Sequence, residues 1–457
     1  MTHSKLIVGR MRLRALLALF MLSLFSQLFA QGLDATNLGR ELQKLMGSSL
    51  VKGAEVAVGF YNPANFTQVW EYRSDESMMP ASLQKLYTGI GALEILGPQY
   101  RFTTRIGTNG EISNSTLKGD LIIIGGGDPS WMEDFHPQGP HKVFEAWADS
   151  LRALGIRKID GNLIGNISLF PTQAKHPLWE EHNLHYGFSP GVGALCFNEN
   201  MVRYELKGAS KAGQKASAAP SYGYQFLKMN NQVQTVADKG SAGTWLRLSE
   251  DGSTVTLHGK LGINTTQRLS TAVQNPPLFT LSIMRDTFSK KGITITGKIL
   301  LEETPSNSFT NLFNFSSPTL AEILPVMQKF SSNMLAEQLL SQIGPGADAG
   351  VGKLKGLVTQ NRIRGKFNPV DGSGLSRQNL CSASNLGAAL CLAKHRDWFA
   401  VFLQSLAMPG DKGTLRARFP NLKGKSQLYG KTGSLRDVSN LAGYLRAQDG
   451  ELYKTFA

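Results

Sequence analysis

The sequence of 457 residues predicts an α/β protein in which both ends of the chain form one domain, with an antiparallel sheet and helices, around a nested two-domain β-rich insertion. Three observations lead to this prediction. Helical periodicity occurs near both ends, short strands and turns begin at about residue 101, and a helix that runs into a strand occurs twice, at 143–165 and 277–301. The predicted bounds are 31–100 and 305–457 for the first domain, 101–173 and 265–304 for inserted domain II, and 174–264 for nested domain III.

Residues 1–30 differ from the rest of the chain and are predicted to be a secretory signal peptide. Basic residues without any acidic residue precede an apolar run that is too short to span a membrane comfortably. We expect cleavage near Ala30 and export to the periplasm or another extracytoplasmic compartment. Because Leu28 is an unusual residue at the third position before the cut, an uncleaved anchor stays an alternative.

The formal net charge is +14, but the basic residues are scattered and no run resembles a nucleic-acid-binding arm. We therefore predict no nucleic-acid partner and a solvated basic surface, which is compatible with weak association with a membrane surface. The cysteines Cys196, Cys381 and Cys391 have neither CxxC nor metal-ligand spacing, and we predict no metal. A disulfide between Cys381 and Cys391 and a pair of buried free thiols are both open alternatives.

The chain is organised around a helix predicted over 79–96. Pro80 suits the first helical turn, and leucine or isoleucine then recurs every three or four residues. Ser82 and Lys85 are three positions apart, so both side chains leave the same face of the helix one turn apart. A serine becomes nucleophilic when a base takes its proton, and a lysine can be that base if burial or a nearby cation keeps it neutral. The pair therefore indicates a serine acylation site.

A Ser-x-x-Lys pair alone is weak evidence, because about one or two such matches are expected by chance in a chain of this length. A second match, Ser49 to Lys52, occurs in this sequence. Gly53 follows it immediately and a strand begins soon after, so this pair lies at a helix end without rigid support. Only Ser82 opens a long apolar helix.

Another serine, Ser189, lies in a Gly-x-Ser-x-Gly pattern between Gly187 and Gly191, which is typical of a hydrolase nucleophile elbow. The elbow uses the backbone N–H of the residue after the serine in its oxyanion hole, and Pro190 has none. His182 and His185 nearby lack the glutamate-bearing HExxH frame of a zinc site. We therefore predict neither a second nucleophile nor a metal site here. The segment 207–224, which is rich in small and basic residues, is predicted to be a mobile loop.

Two further motifs follow in the C-terminal part. Ser331-Ser332-Asn333 lies between two helical segments, and Lys431-Thr432-Gly433-Ser434 ends a predicted strand. Ser-x-x-Lys, Ser-x-Asn and Lys-Thr-Gly thus occur in this order, each on the expected element, as in enzymes that are acylated by penicillin. A turn-rich stretch, Asp371-Gly-Ser-Gly-Leu-Ser-Arg377, separates the last two motifs. The other elements predicted near the two ends are helices at 37–46 and from 319, 383 and 398, and strands at 55–61, 68–72, 426–433 and 440–446.

With these motifs the chain resembles the penicillin-binding proteins, and specifically the class C D-alanyl-D-alanine carboxypeptidase and endopeptidase family of the penicillin-binding protein 4 type. The segments GDLIIIGGGDPS, YGFSPGVGALCFNEN, KFSSNMLAEQL, DGSGLSR, MPGDKGTLRARF and KTGSLRDVSNLAGYL look like that family's, and they cover nearly the whole mature chain. The long interval between Ser82 and Ser331 also fits the family's insertion. The resemblance implies a penicillin-binding/β-lactamase-like transpeptidase fold for the domain formed by the two ends.

The resemblance also implies the chemistry. Ser82 would attack the carbonyl between two D-alanines of a peptidoglycan stem peptide, and Lys85, kept neutral by burial and by Lys431, would take its proton. Ser331 would relay that proton to the leaving amine, and Asn333 would orient Lys85 and the substrate. The remaining implied roles are terminal carboxylate binding by Lys431, Thr432 and Ser434 within the Lys-Thr-Gly433 motif, and an oxyanion hole from the N–H groups of Ser82 and Ser434. β-Lactam antibiotics are implied as covalent inhibitors, and no cofactor is implied.

The sequence departs from this family in two places that affect the expectations. Ser332 replaces the more common aspartate of the Ser-x-Asn motif, which we expect to tune the site without loss of function. The chain stops within a strand that begins at 451, whereas the family continues into a final helix, so we expect a truncated sequence or a compromised fold. Three other functions stay open: a β-lactamase, an unrelated serine esterase or amidase, and a catalytically compromised wall-binding protein.

Overall fold

The computed structural model describes residues 35–170, 175–223, 226–238, 243–304, 308–419, 427–446 and 453–456. The predicted signal peptide lies outside these residues. The chain forms two compact units, Met1–Tyr100 with Thr319–Ala457 and Arg101–Pro318. We call them the terminal unit and the inserted unit. No helix among the described residues combines the length and the apolar character needed to cross a bilayer.

The helices and strands of the described chain are numbered in order. The helices are α1 (Ala35–Met46), α2 (Gln84–Ile95), α3 (Lys142–Ala153), α4 (Pro276–Lys290), α5 (Leu320–Phe330), α6 (Asn333–Ile343), α7 (Ala347–Gln360), α8 (Ala383–Lys394) and α9 (Phe399–Ser405). The strands are β1 (Val58–Tyr61), β2 (Gln68–Tyr72), β3 (Thr103–Thr108), β4 (Glu111–Ser113), β5 (Thr116–Lys118), β6 (Leu121–Ile124), β7 (Lys158–Ile159), β8 (Leu163–Asn166), β9 (Met201–Lys207), β10 (Ser217–Pro220), β11 (Lys228–Asn231), β12 (Gln234–Val236), β13 (Gly243–Leu248), β14 (Thr254–Gly262), β15 (Thr266–Ala272), β16 (Thr294–Ile295), β17 (Ile299–Glu302), β18 (Thr310–Ser316), β19 (Phe367–Asn368), β20 (Leu380–Cys381), β21 (Gln427–Leu435), β22 (Val438–Arg446) and β23 (Tyr453–Phe456).

The main sheet of the terminal unit is antiparallel and has the strand order β2-β1-β23-β22-β21. β23 joins the N-terminal hairpin to the C-terminal hairpin, because it pairs with β1 on one side and with β22 on the other. Phe60, Leu428 and Leu445, which lie on strands of this sheet, share one buried apolar cluster. The unit is thus the helix-and-sheet domain predicted from the two ends of the chain.

Helix α2 lies deep in the terminal unit, where it packs against α5, α6 and α7. Leu86, Ile90 and Leu93, the apolar residues expected to be buried, are at most 2% exposed. The polar residues Lys85 and Thr88 on the same helix are also fully buried. Polar side chains of α2 are therefore buried together with its apolar ones, whereas an amphipathic surface helix exposes its polar face to solvent.

The two helix-to-strand repeats recognised in the sequence pair with each other in the inserted unit. Strand β16 runs parallel to β7, and β17 runs parallel to β8. The larger of these sheets has the order β17-β8-β6-β3-β18. β18 pairs antiparallel with β3, and the inserted unit extends to Pro318, beyond the boundary predicted at 305.

The middle of the inserted unit contains two smaller sheets, β10-β9-β15 and β11-β14-β12, with β13 paired to β14. β15 pairs along its whole length with β9, so the predicted boundary at 264 cuts through a sheet. The segment predicted as a mobile loop contains β10, which pairs with β9. The division of the insertion into domains II and III stays a prediction.

The cysteines Cys196, Cys381 and Cys391 are buried free thiols. Of the two alternatives, the structure therefore has the free thiols and not a disulfide between Cys381 and Cys391. Burial raises the pKa of the thiol of Cys381 to about 12 and that of Cys391 to about 11. Both are inert, protonated side chains at neutral pH.

Candidate active site

Ser82 lies in a tight 3-10 turn, Ala81–Leu83, that leads directly into α2. The regular helix therefore begins at Gln84, later than the sequence predicts. Ala81 has a left-handed backbone conformation, with φ of 48°. Asn440 on β22 supports the turn, because its side-chain Nδ2 donates hydrogen bonds to the carbonyls of Met79 at 2.8 Å and Pro80 at 2.9 Å. The serine is thus presented on a strained turn that the neighbouring sheet holds in place.

Lys85 is fully buried, and three oxygen atoms surround its amine. Nζ lies 3.1 Å from Ser82 Oγ, 2.6 Å from Asn333 Oδ1 and 2.7 Å from the carbonyl oxygen of Ser373. Burial lowers the pKa of Lys85 to about 7, although the carboxylates of Glu337 and Asp371 act in the opposite direction. A large fraction of Lys85 is therefore neutral at physiological pH. In the neutral state, two N–H groups of the amine can donate hydrogen bonds to the side-chain oxygen of Asn333 and the carbonyl of Ser373. The lone pair of the amine then faces the hydroxyl of Ser82.

Ser331 and Lys431 form the second pair of the site. Ser331 ends α5 in the left-handed region, with φ of 61° and ψ of 38°. Nζ of Lys431 donates to Ser331 Oγ at 2.9 Å and to the carbonyl of Thr432 at 2.7 Å. Burial, together with the charge of Lys85, holds the pKa of Lys431 well below its usual value. From the sequence we expect Lys431 to lower the pKa of Lys85. In the structure, burial is the main cause of the lowered pKa of both amines.

Ser332 does not face the reacting groups. Its Oγ accepts a hydrogen bond from the backbone N–H of Leu335 at 3.3 Å and so caps the N-terminus of α6. Serine and aspartate are about equally good N-caps. The replacement of the more common aspartate by Ser332 therefore keeps the helix start, and with it the position of Asn333, without entering the chemistry.

The Lys-Thr-Gly motif lies on β21, which contacts the turn that carries Ser82. A Cβ atom on Gly433 would lie 2.6 Å from the carbonyl oxygen of Pro80 and 3.2 Å from the backbone nitrogen of Ser82. Glycine is therefore required for the strand to come this close. Thr432 is half-buried and Ser434 is exposed on the same strand. The structure thus brings Ser82, Lys85 and Asn333 together, places Ser331 on Lys431, and sets Gly433 against the nucleophile turn.

The rejected sites of the sequence analysis lie in the inserted unit. Ser189 is completely buried. The hydroxyl of Ser189 is therefore not exposed, whereas the serine of a nucleophile elbow is. Among the described residues, no group of three or more His, Cys, Asp and Glu side chains is arranged to hold a metal ion.

A sequence profile of the D-Ala-D-Ala carboxypeptidase 3 (S13) family matches residues 38–457. The chain belongs to this family. It is 27% identical to a D-alanyl-D-alanine carboxypeptidase of Actinomadura sp., over 93% of this chain and 81% of the relative. It is 28% identical to the D-alanyl-D-alanine carboxypeptidase DacB of Haemophilus influenzae, over 83% of this chain and 80% of the relative.

Among solved structures, the carboxypeptidase is similar to penicillin binding protein 4 (dacB) of Haemophilus influenzae, with a TM-score of 0.76 and 26% identity. The match covers 89% of this chain and 90% of that protein. A structure of the same protein in complex with a novel β-lactam matches with a TM-score of 0.71 over 89% of both chains. The penicillin-binding fold, the family and the D-Ala-D-Ala carboxypeptidase activity inferred from the sequence are thereby confirmed.

Sequence reasoning missed a buried carboxylate layer behind the amine of Lys85 in this carboxypeptidase. Glu337 lies one helical turn after Asn333 on α6, and its carboxylate accepts the backbone N–H groups of Gly372 at 3.1 Å and Ser373 at 2.8 Å. The same loop residue, Ser373, offers its carbonyl to Lys85. Asp371 accepts from the backbone N–H groups of two further loop residues, at 2.7 Å each. In the sequence, the Asp-Gly-Ser-Gly stretch is recognisable only as a turn. The i, i+4 spacing of Asn333 and Glu337 indicates that both side chains lie on the helical face that lines the site.

Replacement of Glu337 by glutamine is expected to lower the free energy of unfolding by about 1 to 3 kcal/mol, because an amide N–H₂ would face a buried backbone N–H. The pH midpoint of acylation is expected to move to lower pH, since the ionised form of Glu337, whose own pKa burial raises to about 7, raises the pKa of Lys85. Urea unfolding and benzylpenicillin acylation rates from pH 5 to 9 measure the two effects. The matched control is Glu322→Gln, which alters the capping box at Thr319 on α5. An unchanged midpoint in Glu337→Gln, or an equal shift in the control, would contradict this role.

Gly374→Ala is expected to reduce both stability and acylation. The new Cβ would lie 1.8 Å from the carbonyl oxygen of Ala81, at a φ of +79°, so the loop must move away from the nucleophile turn. We expect a loss of about 2 to 4 kcal/mol in the free energy of unfolding. Gly97→Ala is the matched control, since its φ is +81° and no described atom lies within 4 Å of the place that its new methyl group would take. It should cost only about 1 kcal/mol. Equal losses in the two variants would show that backbone strain alone is responsible.

Proposed function

We propose that the carboxypeptidase acts on peptidoglycan stem peptides through an acyl-enzyme on Ser82. The observation that carries this proposal is the 3.1 Å separation of Ser82 Oγ from the buried amine of Lys85. The two other oxygen neighbours of that amine, on Asn333 and Ser373, leave its lone pair for the hydroxyl. A base with a pKa of about 7 is well matched to proton transfer at neutral pH.

In the acylation step Ser82 Oγ attacks the carbonyl between the two D-alanines, and its proton passes to Lys85. The C–N bond then breaks, and the leaving D-alanine amine needs a proton. We assign this transfer to Ser331, which recovers the proton that Lys85 took from Ser82. The hydrogen bond from Lys431 to Ser331 Oγ orients this hydroxyl. Water subsequently attacks the ester and regenerates Ser82.

Lys431, Thr432 and Ser434 hold the terminal carboxylate of the substrate in this proposal. Lys431 is buried, and in the described part of the chain its amine donates to a hydroxyl and a carbonyl but to no carboxylate. An incoming carboxylate would supply a counter-charge and favour the ammonium form of Lys431. The binding of substrate would thus leave Lys431 charged and Lys85 neutral, as general base catalysis requires.

The oxyanion hole is assigned to the backbone N–H groups of Ser82 and Ser434. The support is the close approach to the nucleophile turn of Gly433, the residue that precedes Ser434 on β21. A donor in such a position stabilises the tetrahedral intermediate by about 3 to 4 kcal/mol. No step of this scheme uses a metal or an organic cofactor.

We further propose that the protein is exported through the signal peptide at 1–30 and works in the periplasm or an equivalent compartment. β-Lactams would acylate Ser82 because they resemble the scissile peptide, and a β-lactam complex is known for the similar Haemophilus influenzae protein. The high net positive charge supports weak attraction to an anionic membrane surface. Carboxypeptidase and endopeptidase activities cut the same type of bond, and we assign one or both to this site.

The test uses purified mature protein incubated with benzylpenicillin and analysed by intact mass and peptide mapping. We expect one stable adduct on the peptide that contains Ser82, and release of D-alanine from a pentapeptide that ends in D-Ala-D-Ala. Rapid consumption of penicillin would indicate a β-lactamase instead. A folded protein that neither forms an adduct nor consumes penicillin would contradict the proposal and favour a wall-binding protein.

A further inference from the structure

The sheet of the inserted unit that is formed by β11, β12, β13 and β14 has one open face. In β13 and β14 the inward residues Leu246, Val255 and Leu257 are at most 1% exposed, whereas Trp245 points outward and is 48% exposed. The indole of Trp245 is stacked on the imidazole of His258 on the neighbouring strand, with ring centroids 4.1 Å apart and an interplanar angle of 17°. Stacking thus holds a large aromatic ring at the surface. Exposure of such a ring to water is unfavourable in free energy unless a ligand or a protein partner covers it.

Basic side chains surround this ring. Arg247 lies two residues along β13, on the same face as Trp245, and Lys260 lies two residues beyond His258 on β14. Lys228 is outward on the adjacent β11. The outward residues of the described strands β11, β12, β13 and β14 include no Asp or Glu. The face defined by Lys228, Trp245, Arg247, Thr256, His258 and Lys260 is therefore aromatic, positively charged and rich in hydrogen-bond donors; we call it the Trp245 face.

A histidine and an aromatic pair also lie in the segment 185–188 of the inserted unit. Burial, followed by the charges of neighbouring cations that include Arg247, lowers the pKa of His185. The next residues along the chain form a second aromatic pair, in which the half-buried Tyr186 and the exposed Phe188 are stacked with centroids 5.5 Å apart. Phe188 is 46% exposed.

We propose that the Trp245 face docks a peptidoglycan strand, with a sugar ring on Trp245 and stem-peptide carboxylates on Arg247 and Lys260. The C–H face of a hexose ring is apolar and flat, which suits an exposed indole, while Thr256 can hydrogen-bond its hydroxyls. The carboxylates of stem peptides complement a face that lacks acidic residues on its described strands. A nucleic acid strand fits less well, because it usually needs a succession of aromatic platforms along a basic groove. The inference rests on the proposed peptidoglycan substrate, but it concerns surface residues outside the acylation site.

The test measures co-sedimentation of full-length mature protein with purified sacculi, in the Ser82→Ala background so that the polymer stays intact. We expect Trp245→Ala with His258→Ala to weaken binding about tenfold, because the stacking surface is lost. Arg247→Glu with Lys260→Glu should weaken binding by a similar factor of about ten and reduce its dependence on salt. Both double variants, made with Ser82 present, should keep the wild-type rate of benzylpenicillin acylation.

Matched controls are available in the terminal unit. Phe66 is also 48% exposed and stacked on a histidine, His395, so Phe66→Ala removes an equivalent ring. Lys353→Glu with Lys355→Glu on α7 makes the same change in net charge. Both controls should bind sacculi as the parent does. Equal weakening in the controls, unchanged binding in the Trp245-face variants, or tighter binding of single-stranded DNA than of sacculi would overturn the proposal. Acylation is measured separately. An absence of acylation would therefore contradict the proposed function, and it would not contradict docking on the Trp245 face.

Discussion

Replacement of Ser82 by alanine is expected to abolish the benzylpenicillin adduct and to lower D-alanine release by about 10⁶-fold, the size of effect known for loss of a serine nucleophile elsewhere. The side chain is small and lies in a turn held by Asn440 and β21. The turn should therefore persist, and the melting temperature should stay close to that of the wild type. Intact mass spectrometry and a D-alanine assay measure the two losses.

The chain provides its own control for this experiment. Ser49 is also followed by a lysine at the third position, but it lies in a short turn, Ser49–Val51, with Lys52 exposed. Ser49→Ala should leave both the adduct and the turnover unchanged. An adduct that survives in Ser82→Ala, or disappears in Ser49→Ala, would place the nucleophile elsewhere.

Replacement of Lys85 by methionine is expected to slow acylation by about 10² to 10⁴-fold, which is the usual contribution of a general base. Methionine has a similar length and tolerates burial, so the helix should remain intact. Asn333 and the carbonyl of Ser373 lose a donor, and we expect a loss of about 1 to 3 kcal/mol in the free energy of unfolding. Lys52→Met is the matched control, and it should have no effect on acylation.

The pH dependence gives a second measure of the same base. The neutral amine is the active form, and the pKa of Lys85 is lowered to about 7. The wild-type acylation rate should therefore be low at pH 5, rise through about pH 7, and level off above it. The residual rate of Lys85→Met should not show this rise. A wild-type rate that is flat between pH 5 and 9 would contradict the assignment of Lys85 as base.

The sequence could predict those parts of the site that depend on local patterns. The apolar spacing after Ser82 predicts α2, and the order of the three motifs predicts the grouping of Lys85 with Asn333 and with Lys431. The pairing of Lys85 with Asn333 joins residues 248 positions apart. These pairings can be predicted because the motifs are recognisable in the sequence. The periodicity of the residues alone would not predict the contacts.

The remaining features depend on tertiary contacts that leave no periodic signal. Glu337 and Asp371 are ordinary acidic residues in the sequence, and only the fold shows that both are buried against backbone N–H groups. The end of the inserted unit at Pro318, beyond the boundary predicted at 305, depends on a contact of the same kind. β18 is a strand of ordinary composition, and its pairing with β3, more than 200 residues earlier, decides to which unit it belongs. The left-handed backbone of Ser331 is equally invisible in the sequence, since serine rarely adopts it.

The position of β23 in the main sheet has a consequence for biosynthesis. Tyr61 and Thr455 are register partners in that sheet, although they are 394 residues apart. Until the residues around Thr455 have been synthesised, β1 has an unpaired edge and cannot be joined to β22. A contact between residues so far apart in the chain forms slowly. Until it forms, the N-terminal hairpin can pair with a non-native strand. The main sheet of the terminal unit can therefore close only after Thr455 and its neighbours in β23 have been synthesised.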